Sequence, residues 1–288
     1  MRDGGRDILV AGRYRLLEEV GRGGMGVVWH AHDELLDRPV AVKEILFPSN
    51  ADTERQRRLC RLLTREARSM ARLSHPGVAG VFDILVAGGR PWMVMEMVEA
   101  PNLQQIIDEH GPLAPREAAE VGRQLLSVLR AAHAQGMLHR DVKPSNVLIH
   151  PDGRVVLTDF GLAIDLADTE PRLMECSPAY VSPEQAFNQP LSEASDLWSL
   201  GATLYTAVDG RAPYRRAGAL ASMLAVLTDD YLPPRHAGPL RPVIDGLLRK
   251  DPEERLTASQ AARLLERMGH TGPRMLNLFR PARTVARA

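Results

Sequence analysis

Between His139 and Gly161 the chain reads H-R-D-V-K-P-S-N-V-L-I-H-P-D-G-R-V-V-L-T-D-F-G. Two short apolar runs, 147–149 and 155–157, flank Pro151-Asp152-Gly153, a turn signal that predicts a β-hairpin. Antiparallel pairing brings the residues before the first run and after the second to the same end. Asp141 and Asn146 then lie beside Asp159. Two carboxylates and an amide oxygen at one cleft suit Mg²⁺, which takes oxygen ligands and brings substrate phosphates with it. An ordinary surface hairpin with polar ends is the bland alternative. H-R-D-x-x-x-x-N followed by D-F-G is far more specific than that.

The rest of the chain must be consistent with such a cleft. Its 288 residues are long for one small domain and suit a large or two-lobed unit, and 44% hydrophobic content supplies a substantial core. Basic and acidic residues balance at 36 each, which argues against a nucleic-acid binder. Two cysteines, Cys60 and Cys176, make no disulfide framework and fit a reducing cytoplasm. The chain shows no apolar run long enough to span a bilayer, and its polar start, M-R-D-G-G-R-D, is unlike a signal peptide. The expectation is a cytoplasmic chain.

Only three of the 36 basic residues are lysines: Lys43, Lys143 and Lys250. Against so strong an arginine bias, a lysine hints that a compact, flexible ammonium is required. Lys143 sits inside the stretch above. Lys43 ends V-A-V-K, after a strand-like run from Tyr14 to Val20 and the glycine segment Gly21-Arg22-Gly23-Gly24-Met25-Gly26-Val27-Val28. G-x-G-x-x-G alone is weak, and a dinucleotide fingerprint is its rival. That rival needs a helix opening at the glycines. Here β-branched Val27 and Val28 follow, then a second strand-like run, so the pattern is strand, glycine loop, strand, lysine. Glycines there let backbone N–H groups approach phosphates without an intervening Cβ.

Residues 52–73 carry Leu59, Leu62, Leu63, Ala67, Met70, Ala71 and Leu73 at three- and four-residue spacing, one apolar helical face. Segments 78–86 and 91–98 read as two more strands. Helices are predicted over 116–135, 192–208, 219–227, 240–248 and 258–268. The one over 192–208 is apolar nearly all round after Asp196 and should be buried. Asp196, at its start, should brace the 139–146 loop rather than react. Residues 271–288 read as an Arg- and Pro-containing tail.

Taken in order, these motifs resemble those of the bacterial eukaryotic-like Ser/Thr protein kinases, most like the actinobacterial ones, over residues 14–270. The resemblance implies an α+β, two-lobed protein kinase fold. A β-rich N-lobe (14–98) with one long helix would face a mainly helical C-lobe (99–270), with ATP between them. It implies that Asp141 orients an acceptor hydroxyl and takes its proton, and that Lys143 neutralises the transferring phosphoryl group. Asn146 and Asp159 would hold Mg²⁺ or Mn²⁺. Lys43 would hold the phosphates and pair with Glu66 of the long helix. Nucleotide contacts are implied for Val20 to Val28, Ala41, Met95, Leu148 and the backbone of Glu96 and Val98. Phe160 would pack in the core, and Glu184 of Ser182-Pro183-Glu184 would pair with Arg255.

Regulation is implied for Arg140, which would bind a phosphate on the segment after Gly161. Thr169 is the one hydroxyl between Gly161 and Cys176, and autophosphorylation there is the expectation. Cys176-Ser177 stands where the family has Gly-Thr; Ser177 keeps the hydroxyl that favours Ser/Thr acceptors on protein substrates. Two rivals are an inert kinase-like scaffold and a small-molecule phosphotransferase. Intact Lys43, Asp141, Asn146 and Asp159 argue against the first, and Lys143, Asp196 and the S-P-E segment against the second.

Overall fold

The computed structural model describes residues 8–23, 26–47, 52–160 and 178–269. Its first half is a six-stranded antiparallel sheet in the order β1-β2-β3-β4-β6-β5. The strands are β1 (Leu9–Val10), β2 (Tyr14–Gly23), β3 (Gly26–Asp33), β4 (Arg38–Ile45), β5 (Val81–Ala87) and β6 (Arg90–Glu96). Strand alternation sorts the V-A-V-K run by face. Val40 and Val42 join Val10, Tyr14, Leu16, Ala31, Trp92 and Val94 in a small core on one side. Ala41 and Lys43 point the other way, opposite Met95 and Met93 across the β4–β6 pairing. Helix α1 (Thr53–Met70) begins where the Asp52 side chain caps the Arg55 amide at 2.8 Å. It buries Leu59, Leu63, Ala67 and Met70 of its predicted apolar face, while Leu62 is half-buried, Ala71 is exposed and Leu73 is buried just beyond the helix.

The second half is mainly helical. It comprises α2 (Leu103–His110), α3 (Pro115–His133), strands β7 (Val147–Ile149) and β8 (Val155–Leu157), and then α4 (Pro183–Ala186), α5 (Glu193–Asp209), α6 (Ala219–Thr228), α7 (Arg241–Leu247) and α8 (Ala258–Glu266). Helix α5 is buried continuously from Ser195 to Val208, as its all-round apolar sequence requires. It ends at Gly210, whose φ of 79° is a left-handed cap that a Cβ would disfavour. β7 and β8 pair antiparallel as predicted, with Val147 opposite Leu157 and Ile149 opposite Val155.

Strand β1 was not foreseen: two residues are too short to show a period. Helices α2 and α4 also have no counterpart among the predicted helices, and the predicted elements differ from the observed ones at their ends. The 78–86 strand begins at Val81, the 91–98 strand stops at Glu96, and the helix ending at 268 stops at Glu266.

Candidate functional site

The hairpin does what its sequence demands. Thr158, just before Asp159, donates both its amide (2.9 Å) and its hydroxyl (3.2 Å) to the carbonyl of Asn146. The two strand ends are thereby fastened together. The Asn146 amide group donates to the Asp141 carbonyl at 2.8 Å and to Asp141 Oδ2 at 3.0 Å. Lys143 Nζ donates to the same Oδ2 at 2.7 Å. Asp141, Lys143 and Asn146 thus form one cluster, with Asp141 and Lys143 each 16% exposed.

The loop is held from below by one carboxylate. Asp196, buried in the first turn of α5, accepts the amides of His139 at 2.8 Å and Arg140 at 2.7 Å, and His133 Nε2 at 2.8 Å. Two successive amides aimed at one group require an unusual backbone, and Arg140 sits at φ 68°. His139 Nε2 faces the Thr158 carbonyl at 2.8 Å, and its Nδ1 accepts the Asp141 amide at 3.2 Å. That pattern requires the neutral ring, and burial depresses its pKa, against the nearby carboxylates. Phe160 is buried and packs edge-on to His139 with ring centroids 4.4 Å apart. The wall after the 161–177 segment is anchored too, because Ser199 Oγ of α5 donates to the Tyr180 carbonyl at 2.8 Å.

On the sheet side, Val28, Ala41, Lys43, Met93 and Met95 share the inward face through the β3–β4–β6 pairings. Lys43 is 4% exposed and its Nζ donates to Asp159 Oδ1 at 2.7 Å. The expected Lys43–Glu66 pair is not formed in the described arrangement: the half-buried Glu66 side chain makes no ion pair among the described residues. The sequence pattern fixed which face α1 turns to the sheet, but not how far Glu66 stands from Lys43. Asp159 lies at φ 63°. Burial pushes its carboxyl up, yet the adjacent Lys43 ammonium outweighs this, and the net shift is downward.

The remaining candidates lie around this centre. Gly21, Arg22 and Gly23 end β2, and a Cβ built on Gly21 or Gly23 would meet nothing within 4 Å. Gly26, in contrast, is backed against β4, where a Cβ would fall 2.0 Å from the Glu44 carbonyl. Val20 is exposed, Val27 is buried and Val28 half-buried. Leu148 bridges Asn102 from the C-lobe side. The Glu96 carboxylate accepts from Arg154 at 3.2 Å, a tie between the lobes that sequence reading missed; no local signal links positions 58 residues apart. Val98 follows β6, and its carbonyl accepts the Ala100 amide at 3.0 Å. Gly24, Met25, Thr169, Cys176 and Ser177 lie outside the described residues.

The donors fit the ligands that such a cleft implies. Asn146 spends its NH₂ on Asp141, which leaves its carbonyl oxygen for a cation, and Asp159 engages Lys43 through one oxygen only. Oxygen donors few in number suit a Mg²⁺ that also takes phosphates and water. Apolar Val28, Ala41, Met95 and Leu148 suit a flat base, and the open side of Gly21 and Gly23 suits phosphates.

A small antiparallel lobe over a helical one, with a lysine and a hairpin-borne acid cluster facing each other across the seam, defines the protein kinase architecture. The chain matches the protein kinase domain family over residues 14–264 and belongs to that family. It is 38% identical over 258 residues to the serine/threonine-protein kinase PknA of Mycobacterium tuberculosis, covering 86% of this chain and 59% of that protein. Similarity extends to the serine/threonine-protein kinase PrkC of Bacillus subtilis (37% over 218 residues; 75% of this chain, 33% of that protein). It extends also to PknK of M. tuberculosis (43% over 214 residues; 73% and 19%). The chain thus spans about three-fifths or less of the length of these relatives. Among the described residues no helix is long and apolar enough to cross a membrane.

Proposed function

We propose that this chain is an ATP-dependent Ser/Thr protein kinase that passes the γ-phosphoryl group to hydroxyls of protein substrates, itself included, in bacterial signalling. The observation that carries this is the convergence of Lys143 and Asn146 on a single oxygen of Asp141. Both hold the carboxylate through Oδ2, which leaves Oδ1 to align an acceptor hydroxyl and accept its proton. Phosphoryl transfer asks little covalent chemistry of the protein; positioning and charge neutralisation dominate. Lys143 supplies positive charge beside the acceptor, and Lys43 does so beside the phosphates. Asn146 and Asp159 would hold Mg²⁺ or Mn²⁺, which neutralises charge on the phosphates when bound. Two cysteines in 288 residues are too few for a disulfide framework, and Cys60 is free among the described residues, which supports a reducing, cytoplasmic setting.

The Lys43–Asp159 pair supports a further reading, that the described arrangement is a resting one. A kinase at work needs Lys43 paired with the helix glutamate and Asp159 on metal. Activation then requires Lys43 to leave Asp159 and α1 to bring Glu66 inward. An inert scaffold would keep the resting pair permanently, and one experiment separates the two. Purified protein is incubated with radiolabelled ATP, Mg²⁺ and a generic acceptor protein, beside Asp141→Asn and a chelator control. Label transfer that needs both Asp141 and metal supports the kinase. Transfer that persists in the variant, or none in the wild type, overturns it.

A further inference from the structure

Beside the Pro178–Tyr180 wall lies an open cleft of about 320 Å³, reached by α2 through Gln104, by α5 through Thr206, and by the loop and first turn of α6. It adjoins the acid cluster through α5: Thr203 donates to the carbonyl of Val142, next to Asp141, at 3.5 Å, and Thr206 lines the cleft one turn further on. One helical turn advances about 5 Å, and an extended peptide about 3.3 Å per residue. A polypeptide whose hydroxyl sits at Asp141 therefore reaches the cleft within a few residues.

Three arginines line it, Arg211, Arg215 and Arg216, and they are not equivalent. Arg211 is committed to Asp209 at 3.2 Å and Arg216 to Asp229 at 2.8 Å. Arg215 is exposed, and its guanidinium makes no hydrogen bond or ion pair among the described residues; only its backbone is engaged. Helix α6 also opens here. Its N-cap, Gly218, offers no side-chain cap, so the first-turn amides add partial positive charge to the same space. Besides Asp209 and Asp229, which these arginines engage, the nearby carboxylate is Asp108, which accepts from Gln104 at 2.9 Å and keeps its charge.

We propose that Arg215 is a specificity-determining residue, and that the preferred substrates carry an Asp or Glu a few residues from the acceptor Ser or Thr, seated in this cleft. The proposal rests on the kinase reading above and names its substrate class. The carboxylate meets Arg215 and the open end of α6, while Arg211 and Arg216 stay with their own acids and shape the walls.

The test is a set of acceptor peptides with a fixed central Thr and Asp, Ala or Lys placed in turn at each flanking position. It is run with wild type, R215A, R215K and R215E under Mg²⁺-ATP. An exposed ion pair contributes about 0.2–1 kcal/mol, so the Asp-to-Ala preference in kcat/KM should reach about fivefold at one or two adjacent positions. It should act through KM and shrink as salt rises. R215A should flatten it at those positions, R215K should keep it, and R215E should turn it towards Lys. A flat or Lys-directed wild-type profile overturns the proposal, as does an Asp preference that survives R215A. Autophosphorylation scored in the same reactions keeps the two readings apart. If it proceeds while the profile is flat, only the substrate class fails; if neither it nor peptide transfer occurs, the kinase reading fails as well.

Discussion

Two acid–base pairs in this chain look alike on paper and are built to opposite ends. In the C-lobe, Arg255 reaches both oxygens of Glu184 (2.7 and 3.1 Å), the carbonyls of Ala194, Arg249 and Lys250, and lies over the Trp198 ring; Ser195 adds a bond to Glu184. Its side chain is 0% exposed. Between the lobes, Lys43 spends a single bond on Asp159, whose side chain is 25% exposed. The guanidinium is saturated, so breaking its pair strands a buried charge among carbonyls that cannot follow it. The ammonium keeps donors in reserve, and its partner faces the seam. The pair that holds the fold is over-determined, and the pair proposed to meet ligands is left incomplete.

The largest effect that sharpens this contrast is catalytic. Lys43→Met and Asp141→Asn should each lower kcat by about 10³–10⁴-fold, equivalent to about 4–5.5 kcal/mol of transition-state stabilisation. Their unfolding free energies from urea denaturation should stay within about 1 kcal/mol of wild type. Unchanged turnover, or unfolding in either variant, would break the distinction. Arg255→Met should do the reverse and lose about 3–5 kcal/mol of folding free energy. Whatever fraction remains folded should turn over normally, which denaturation curves and activity per folded molecule can check together.

Glu66→Gln comes next. With no ion pair to lose in the described arrangement, it should shift stability by less than about 0.5 kcal/mol. It should still cut turnover about ten- to a hundredfold if the working state recruits it, about 1.4–2.7 kcal/mol. A stability loss as large as that of Arg255→Met would mean that Glu66 is already engaged. The smallest expected effect is in acid. Arg255 holds the Glu184 carboxyl below its ordinary value against burial. A depressed carboxylate contributes stability that is full above the unfolded pKa of about 4.3 and lost as pH falls through its lower folded value. The Tm gap between wild type and Glu184→Gln should therefore narrow steadily from pH 6 to pH 3. A gap that widens in acid would contradict this assignment.

Sequence reading reached unevenly into this structure. The 147–157 hairpin, the buried α5 and the meeting of Asp141, Asn146 and Asp159 were legible because each rests on local chemistry: a turn tripeptide, an all-round apolar helix, and strand ends that must coincide. The brace by Asp196 was legible for a similar reason, since a carboxylate in a buried first turn needs donors. What Lys43 binds was not legible. Period-3.6 spacing shows which side of α1 meets the sheet, but a displacement of a few ångströms along or away from it decides between Glu66 and Asp159. Arg154 on Glu96 escaped likewise, because it depends on how two lobes settle and not on any nearby residue.

The three bonds to Asp196 have a consequence for how damage spreads. The His139–Asn146 loop takes its coordinates from α5, whereas Lys43 and the glycine strand take theirs from the sheet. On the proposed function, the chemistry would be surveyed from two separate benchmarks, one for the hydroxyl and one for the nucleotide. Lesions in the sheet should surface as faults in nucleotide handling with acceptor preference intact. Lesions in α5 should surface as misaligned acceptors in a protein that still grips nucleotide.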